Sequence, residues 1–360
     1  MAPTPRPGIL EIDPYVPGKS SLPGNVKPMK LSSNEGALGP SPRAIEAYRK
    51  AAEQMHRYPD PGSTALREAL AKHYGLAADR IVCGSGSDEL IALVMRCYAG
   101  PGDEVLYSQY GFIMYPIAAH SVGATPVTAP EKGFRTDVDA MIAKASAKTK
   151  VCFLANPNNP TGSYVTAAEV ERLRAGLPAQ CILVIDAAYA EYVSRNDYSA
   201  GADLVERHDN VVMMRTFSKI YALGGLRLGW AYCPPAIADV LNRVRGPFNV
   251  TSAAQAAGLA ALEDLAFVDA SRAHNDMWLP WLTAELRKLG LEVLPSVGNF
   301  VLVHFKPGPK GAAAANAFLN ARAIIPRGLD NYGLPDHLRI TIGTEAEMRA
   351  VVAALAEFLK

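Results

Sequence analysis

The sequence of 360 residues is poor in cysteine and in histidine pairs of the kind that bind metals. Its five cysteines are scattered, odd in number and without a CxxC pair, which argues against disulfides and against a zinc site. The seven histidines are also dispersed and suggest no cluster of metal ligands. We therefore expect neither disulfide bonds nor a bound metal.

The chain also has almost no net charge and no long apolar runs. Its 36 basic and 35 acidic residues leave a formal charge of +1, which provides no general attraction to nucleic acid or to anionic membranes. An anionic ligand must therefore be held by a local group of side chains. The longest apolar runs, such as CILVI at 181–185, are too short to cross a bilayer, and the first residues lack a signal-peptide core. We expect a soluble, cytoplasmic protein.

Short apolar runs alternate with helical segments through the middle of the chain. Examples are RIVCG, EVLYS, KVCFLA, CILVID and NVVMMRT. Apolar runs of this length, when joined by helices, predict an α/β fold with a mostly parallel sheet that is covered on both faces. In such sheets ligands bind at the carboxyl ends of the strands.

Composition divides the chain into three parts. Residues 1–40 are rich in proline and glycine and are predicted to form an extended arm that belongs to the smaller domain. Residues 41–255 form the predicted large domain, whose first helix begins at Ser41 and Pro42. A long alanine-rich helical region then links to a smaller α+β domain at 256–360, which contains the strand-like runs NFVLVHF and LRITIG.

A lysine in a polar turn follows one of the apolar runs. Lys219 comes directly after the hydroxyls of Thr216 and Ser218, and Arg227 follows eight residues later. A lysine becomes a catalyst when its neutral amine reacts with a carbonyl, as in a Schiff base. Hydroxyls and an arginine can hold the phosphate of a carbonyl cofactor by charge-assisted hydrogen bonds. Taken alone, the same pattern also fits an ordinary solvated lysine.

The segment GSGSDEL at 84–90 predicts a second anion site. Free N–H groups of Gly86, Ser87 and Asp88 at a helix start can bind a phosphate. A dinucleotide fingerprint would need glycine at the position of Glu89, and no Walker lysine is present. We expect both carboxylates to point away from the anion. A plain capped helix is an equally good interpretation of this segment by itself.

Two other polar groups end apolar runs. The prolines of NPNNPTG at 156–162 would aim Asn159 outward, where its amide can donate to a phenolate oxygen that Tyr189 could share. Asp186 ends CILVID, and a carboxylate there is costly unless it meets a cation such as a protonated pyridine nitrogen. An ordinary turn is the alternative interpretation of NPNNPTG. A helix-capping or metal-binding carboxylate is the alternative interpretation of Asp186.

Together these segments resemble the fold-type I pyridoxal-phosphate aminotransferases, and among them the histidinol-phosphate aminotransferases. The resemblance covers nearly the whole chain, in the order LSSNE, GSGSDE, NPNNPTG, DAAY, RTFSKIYALGGLRLGW and YGLPDHLRITIGT. It implies a seven-stranded sheet in the large domain, pyridoxal 5′-phosphate as the cofactor and a homodimer. Gly225, Trp230 and the segment SQYGF depart from the family pattern and leave the substrate preference open.

The resemblance also implies a role for each matching residue. Lys219 would bond covalently to the cofactor, Asp186 would pair with its ring nitrogen, and Tyr189 would hold its phenolate oxygen together with Asn159. The remaining implied contacts are Gly86, Ser87, Asp88, Thr216, Ser218 and Arg227 for the phosphate, Phe112 for the ring, Tyr58 for the cofactor phosphate of the partner subunit, and Tyr15, Asn34, Arg327 and Arg339 for the substrate.

The implied reaction moves an amino group from L-histidinol phosphate to 2-oxoglutarate, in histidine biosynthesis. Family members use the equivalent of Arg339 on an α-carboxylate. Because histidinol phosphate has no carboxylate, its phosphate would take that place, with Arg327 as a second contact. An aromatic amino-acid aminotransferase and a decarboxylase of phosphorylated threonine are alternatives with the same cofactor. A non-catalytic binder of phosphorylated ligands is an alternative of another class.

Overall fold

The apolar runs form a seven-stranded sheet in the computed structural model, which describes residues 3–23 and 27–360. All neighbouring strands pair in parallel except Gly229–Tyr232, which is antiparallel to both of its neighbours. The predicted α/β fold with a mostly parallel sheet is confirmed. Across the sheet the order is Ile81–Gly84, Gly229–Tyr232, Val211–Thr216, Ile182–Asp186, Thr149–Ala155, Glu104–Ser108 and Thr125–Ala129.

The central strands are apolar throughout because helices cover both faces of the sheet. In the strand Ile182–Asp186, Ile182 and Val184 pack into one buried cluster and Leu183 and Ile185 into the other. Burial of each such side chain contributes about 1.5–3 kcal/mol. The covering helices are Pro42–Ala52, Thr64–Tyr74, Ser87–Tyr98, Met114–Ser121, Val138–Lys144, Ala167–Gly176, Ala202–Arg207 and Pro235–Val244.

The alanine-rich region forms two helices, Ser252–Glu263 and Leu265–Lys288. They meet at Asp264, whose carboxylate accepts a hydrogen bond of 2.5 Å from Ser41 Oγ. Ser41 also caps the first helix, as the Ser-Pro pair predicts, by accepting from the backbone N–H of Arg43 and Ala44. One serine thereby ties the start of the first helix to the break in the linking region.

A second, four-stranded antiparallel sheet follows the linking helices. Its strands lie in the order Glu292–Val293, Phe300–His304, Leu334–Thr341 and Arg327–Leu329. The register places Arg327 directly opposite Arg339, so two guanidinium groups rise from neighbouring strands. The helices Ala312–Asn320 and Glu345–Leu359 pack on this sheet.

The N-terminal arm returns to this second sheet region. Met29–Lys30 pairs in parallel with Ile324–Ile325, and the next side chain, Leu31, is buried in the cluster below the four-stranded sheet. The arm therefore places the residues that follow, 32–35, between the two sheets. Among the residues described, no helix is long and apolar enough to cross a membrane.

Candidate active site

A cavity of about 290 Å³ lies between the carboxyl ends of the large sheet, the four-stranded sheet and the N-terminal arm. Its lining includes fourteen of the residues that the sequence pointed to, although they come from distant parts of the chain. These fourteen are Tyr15, Asn34, Ser87, Asp88, Phe112, Asn159, Asp186, Tyr189, Thr216, Ser218, Lys219, Arg227, Arg327 and Arg339.

Asp186 carries a buried carboxylate at the end of the strand Ile182–Asp186. The residue is 5% exposed. Oδ2 accepts a hydrogen bond of 2.9 Å from the hydroxyl of Tyr115, whereas buried Oδ1 has no partner among the described residues. Burial raises the pKa of Asp186 to about 6, against the opposing effects of the Tyr115 hydrogen bond and of nearby Lys219. An unpaired buried carboxylate oxygen at a cavity wall fits a cationic N–H group of a ligand.

Asn159 and Tyr189 are held by neighbours that leave donors for a ligand. Oδ1 of Asn159 accepts a hydrogen bond from Arg339 Nη1, so its NH₂ group remains as the donor. The hydroxyl oxygen of Tyr189 accepts from Asn34 Nδ2 at 2.8 Å, so its proton remains to be donated. Thr341 Oγ1 in turn donates to Asn34 Oδ1 at 3.1 Å. The arrangement suits an anionic or phenolic oxygen.

Lys219 stands at the same wall of the cavity. Its Nζ atom lies 5.6 Å from the ring centroid of Tyr189 and makes no hydrogen bond or ion pair with any described residue. The side chain is half-buried. An amine that is not engaged by a carboxylate is available to a ligand in the cavity.

The opposite end of the cavity forms an anion cradle at the start of the helix Ser87–Tyr98. Gly86 has φ 82°, and a Cβ there would lie 2.4 Å from Nη2 of Arg227. A Cβ at Gly229 would likewise lie 2.5 Å from the backbone nitrogen of Ser87. Two glycines therefore let a guanidinium and a strand approach the helix start.

The hydroxyl groups predicted at this cradle are also present. Thr216 Oγ1 donates to Ser218 Oγ at 3.0 Å, and Arg227 Nη1 lies 3.5 Å from that same Ser218 oxygen. The cradle thus combines hydroxyls, a guanidinium and a helix N-terminus, which are the groups that bind phosphate.

The two acidic side chains beside the cradle behave differently. Glu89 turns away, as expected, and its Oε2 accepts from Ser85 N at 2.6 Å and from Asn249 Nδ2 at 2.8 Å. The expectation was wrong for Asp88, because its carboxylate faces the cavity and accepts from Arg227 Nη2 at 2.9 Å. The ion pair aims the guanidinium, which explains why an acid is tolerated here.

The two arginines of the four-stranded sheet have no acidic partner among the described residues. Arg339 is 6% exposed and donates only to neutral oxygens, those of Asn159 and of Ser32 O, and its Nε has no partner among the described residues. Burial lowers the pKa of Arg339. Arg327 Nη2 donates to Val16 O at 2.9 Å. A buried guanidinium without a carboxylate favours an anionic ligand.

Tyr58 lies outside the cavity of its own chain. Its side chain is 82% exposed and its ring stacks on Phe248 with centroids 4.5 Å apart. Gly86 does not line the cavity itself but lies between the chain neighbour Ser87 and the guanidinium of Arg227, which both do. The other predicted residues are brought together as expected.

Sequence reasoning missed Tyr332 and the Ser32 carbonyl, which line the cavity, and Tyr115, which lies behind its wall. Tyr115 contacts Asp186, Tyr332 lines the cavity beside Arg339, and Ser32 O accepts from Arg339 at 2.7 Å. Tyr115 lies in an apolar helix that carries no polar pattern, and a backbone carbonyl has no sequence signature at all. Tyr332 and Ser32 lie within segments that carry the resemblance, YGLPDHLRITIGT and LSSNE, but the resemblance implied no role for either residue.

Three comparisons with known proteins agree with this geometry. The family model described as aminotransferase class I and II matches residues 26–355. Among curated proteins, the chain is 62% identical to a histidinol-phosphate aminotransferase of Paramagnetospirillum magneticum, with 99% of each chain covered. It is 59% identical to that of Rhodospirillum rubrum, which covers 100% of this chain and 98% of the relative.

Solved structures give the same result. The chain is similar to the crystal structure of histidinol-phosphate aminotransferase from Sinorhizobium meliloti in complex with pyridoxal-5′-phosphate, with a TM-score of 0.84 and 30% identity over 91% of this chain and 90% of that one. A Thermus thermophilus aspartate aminotransferase with maleate shares the fold, with a TM-score of 0.80 and 22% identity over 91% of this chain and 90% of that one. The chain belongs to the class I and II aminotransferases.

Proposed function

We propose that this chain is a pyridoxal-phosphate-dependent histidinol-phosphate aminotransferase. It transfers the amino group of L-histidinol phosphate to 2-oxoglutarate and gives 3-(imidazol-4-yl)-2-oxopropyl phosphate and L-glutamate, reversibly, as a step in histidine biosynthesis. One cavity carries the proposal: it holds Lys219, a buried oxygen of Asp186 and two arginines, none of which has a partner of opposite charge within hydrogen-bonding distance among residues 3–23 and 27–360. The full-length identity of 62% to a protein of that name supports the choice of substrate.

The residues of the cavity fit the cofactor at four separate points. The unpaired Oδ1 of Asp186 would accept from a protonated ring nitrogen, and Asn159 and Tyr189 would donate to the phenolate oxygen. Phe112 lines the same wall and would stack on the ring. The phosphate would lie in the cradle formed by Gly86, Ser87, Asp88, Thr216, Ser218 and Arg227. When bound, the cofactor supplies an aldehyde that condenses with amines and a ring that accepts electrons.

Lys219 would carry out the proton transfers. Its amine would hold the cofactor covalently before the substrate arrives. Once the substrate amine has displaced it, Lys219 would be free to remove a proton from the substrate carbon that bears nitrogen. Asp186 keeps its charge when a cation pairs with it, because an opposite charge within contact distance favours the ionised form. Tyr189 and Asn34 are both buried and hydrogen-bonded to each other, so they would hold the neighbouring wall in place.

The two arginines would recognise the substrate phosphate. Histidinol phosphate has no carboxylate, so its phosphate would meet Arg339, with Arg327 from the neighbouring strand as the second contact. Tyr15 and Asn34, both in the cavity wall, would contact the rest of the substrate. The second substrate, 2-oxoglutarate, is an anion too, because it carries two carboxylates. The same guanidinium groups would therefore bind the substrates of both half-reactions.

We further propose a homodimer in which Tyr58 reaches the cofactor phosphate of the partner subunit. Tyr58 is 82% exposed and stacks on Phe248, which is itself 43% exposed, so two aromatic rings are available to a partner surface. The division into an arm of residues 1–40, a large domain at 41–255 and a small domain at 256–360 belongs to the same proposal. A cytoplasmic location is supported by five free cysteines, four of them buried.

Lys219 provides the direct test of the proposed chemistry. Borohydride reduction of the purified protein with bound cofactor, followed by peptide mass spectrometry, should find the cofactor attached to the peptide that contains Lys219. Lys219→Ala should lose this attachment, the visible absorption that depends on it and all measurable turnover. Lys132→Ala, an exposed lysine, is the control. Attachment to another lysine, or an unchanged spectrum in Lys219→Ala, would contradict the assignment.

Asp186→Asn should lower the turnover and raise the stability of the cofactor-free protein. The folded pKa of about 6 lies above the ordinary 3.8, so the folded chain binds more protons between these values and its stability falls as pH rises through that window. In cofactor-free protein at pH 8 the variant should be about 3 kcal/mol more stable than the parent chain, and the difference should vanish below about pH 3. Turnover should fall by about 100-fold or more.

Denaturant unfolding at several pH values measures the stability, and steady-state kinetics measures the turnover. Asp239→Asn removes an exposed carboxylate and is the control, because it should change neither quantity. A variant that keeps full turnover, or that loses stability at pH 8, would show that Asp186 is a structural group and not the partner of a ligand cation.

Arg327→Ala should raise the KM for histidinol phosphate by about 10-fold or more, because a charge-assisted contact is lost. The kcat/KM for phenylalanine, which has no phosphate, should change much less. Arg322→Ala is the control, since that arginine pairs with Glu357 at the surface. Steady-state kinetics with both substrates measures the difference, and equal losses with the two substrates would refute the phosphate role.

The homodimer is tested by light scattering and by Tyr58→Phe. The full chain should have twice the mass of one protomer. Tyr58→Phe keeps the ring that stacks on Phe248 but removes the hydroxyl, so the dimer should persist while the affinity for the cofactor falls by about 10-fold. Tyr48→Phe, another exposed tyrosine, should change neither. A monomer with full cofactor affinity would overturn this part of the proposal.

A further inference from the structure

Tyr115 is a fully buried tyrosine whose ring cannot move freely. It lies in the first turn of the helix Met114–Ser121 and has no exposed surface. Its ring stacks on Phe153 at 4.5 Å with an interplanar angle of 5°, and it meets Phe112 at 5.8 Å and Tyr107 at 6.0 Å edge to face. Aromatic contacts on several sides fix the direction in which the hydroxyl points.

That hydroxyl points at one oxygen of Asp186. It donates to Oδ2 at 2.9 Å, and the bond is buried. The other oxygen, Oδ1, is left without a partner at the cavity wall. A carboxylate has two oxygens. A donor that bonds one of them fixes the rotamer of the side chain and leaves the other oxygen to meet a ligand.

The donor adds no charge to the site. Burial and the charge of Asp186 raise the pKa of the Tyr115 hydroxyl well above 10, so the group stays a neutral donor. The charged groups that face Asp186 are Asp88, which raises the pKa of Asp186, and Lys219, which lowers it. A neutral donor orients the carboxylate without competing with a ligand cation for its charge.

We propose that Tyr115 is a positioning residue, which presents Oδ1 of Asp186 to the ring nitrogen of the cofactor and keeps the carboxylate ionised in its buried place. The proposal rests on the proposed function for the identity of that cation. The same short segment also supplies Phe112, whose ring touches that of Tyr115 and lines the cavity. Tyr115 therefore connects the group that would stack on the ring with the group that would pair with its nitrogen.

The test compares Tyr115→Phe with Tyr107→Phe. Each variant removes one hydroxyl from the same buried cluster, but only Tyr115 contacts Asp186, and Tyr107 makes no side-chain hydrogen bond with any described residue. The full chain is labelled with ¹³C at the aspartate carboxyl groups and titrated before cofactor is added. The Asp186 resonance is identified by its absence from Asp186→Asn.

In Tyr115→Phe the pKa of Asp186 should rise by about one pH unit or more, because a hydrogen bond to the charged form is lost. The affinity for pyridoxal phosphate and kcat should each fall by about 10-fold while the KM for histidinol phosphate changes little. In Tyr107→Phe all these quantities should stay at their parent values. An unchanged pKa of Asp186 in Tyr115→Phe, or an equal change in Tyr107→Phe, would overturn the proposal.

A second measurement is made on the parent chain and therefore does not depend on whether Tyr115→Phe folds. In the parent chain the ¹³Cζ resonance of Tyr115 should shift as Asp186 is protonated near pH 6, and Asp186→Asn should abolish that shift. The absence of a shift in the parent chain would overturn the proposal. The two proposals fail separately: a parent chain that shows both NMR effects but no aminotransfer with histidinol phosphate would retain the hydrogen bond and refute the assigned reaction.

Discussion

Unpaired buried charge is the constraint on which this cavity depends. Asp186 presents a carboxylate oxygen without a partner, and Arg339 presents a buried guanidinium that touches only neutral oxygens. The two charges are opposite in sign, yet no salt bridge joins them in the described chain. Each charge therefore carries a cost of burial that a ligand of opposite charge would offset.

A rigid frame is needed to keep such groups unpaired. Asp186 and Thr216 end neighbouring parallel strands whose side chains are buried on both faces, so the backbone there cannot relax toward a compensating partner. Asp88 and Arg227, by contrast, pair with each other at 2.9 Å and are about half exposed, where an ion pair costs little. The interior charges are thus held apart, and the charges at the rim are paired for orientation.

The N-terminal arm completes the site by joining the two sheets. Leu31 is buried under the four-stranded sheet, and the backbone oxygen of Ser32 accepts from Arg339. Two residues further, Asn34 bonds both Tyr189 of the large sheet region and Thr341 of the smaller one. Hydrogen bonds from one short segment therefore fix the distance between the part of the cavity that suits a cofactor and the part that suits a substrate phosphate.

Local patterns were enough to predict the strands and to single out the polar residues at their ends, whereas the roles proposed for those residues came from the family resemblance. Apolar runs such as CILVID define strands because both faces are buried, and the polar residue after each run lies at the carboxyl edge by geometry alone. The tertiary structure alone decided which of these groups touch. Tyr115 meets Asp186 across 71 positions, Arg227 meets Asp88 across 139, and Arg339 meets Asn159 across 180. Contacts over such separations leave no periodic trace in the sequence, because they depend on how whole elements pack and not on the neighbours of either residue.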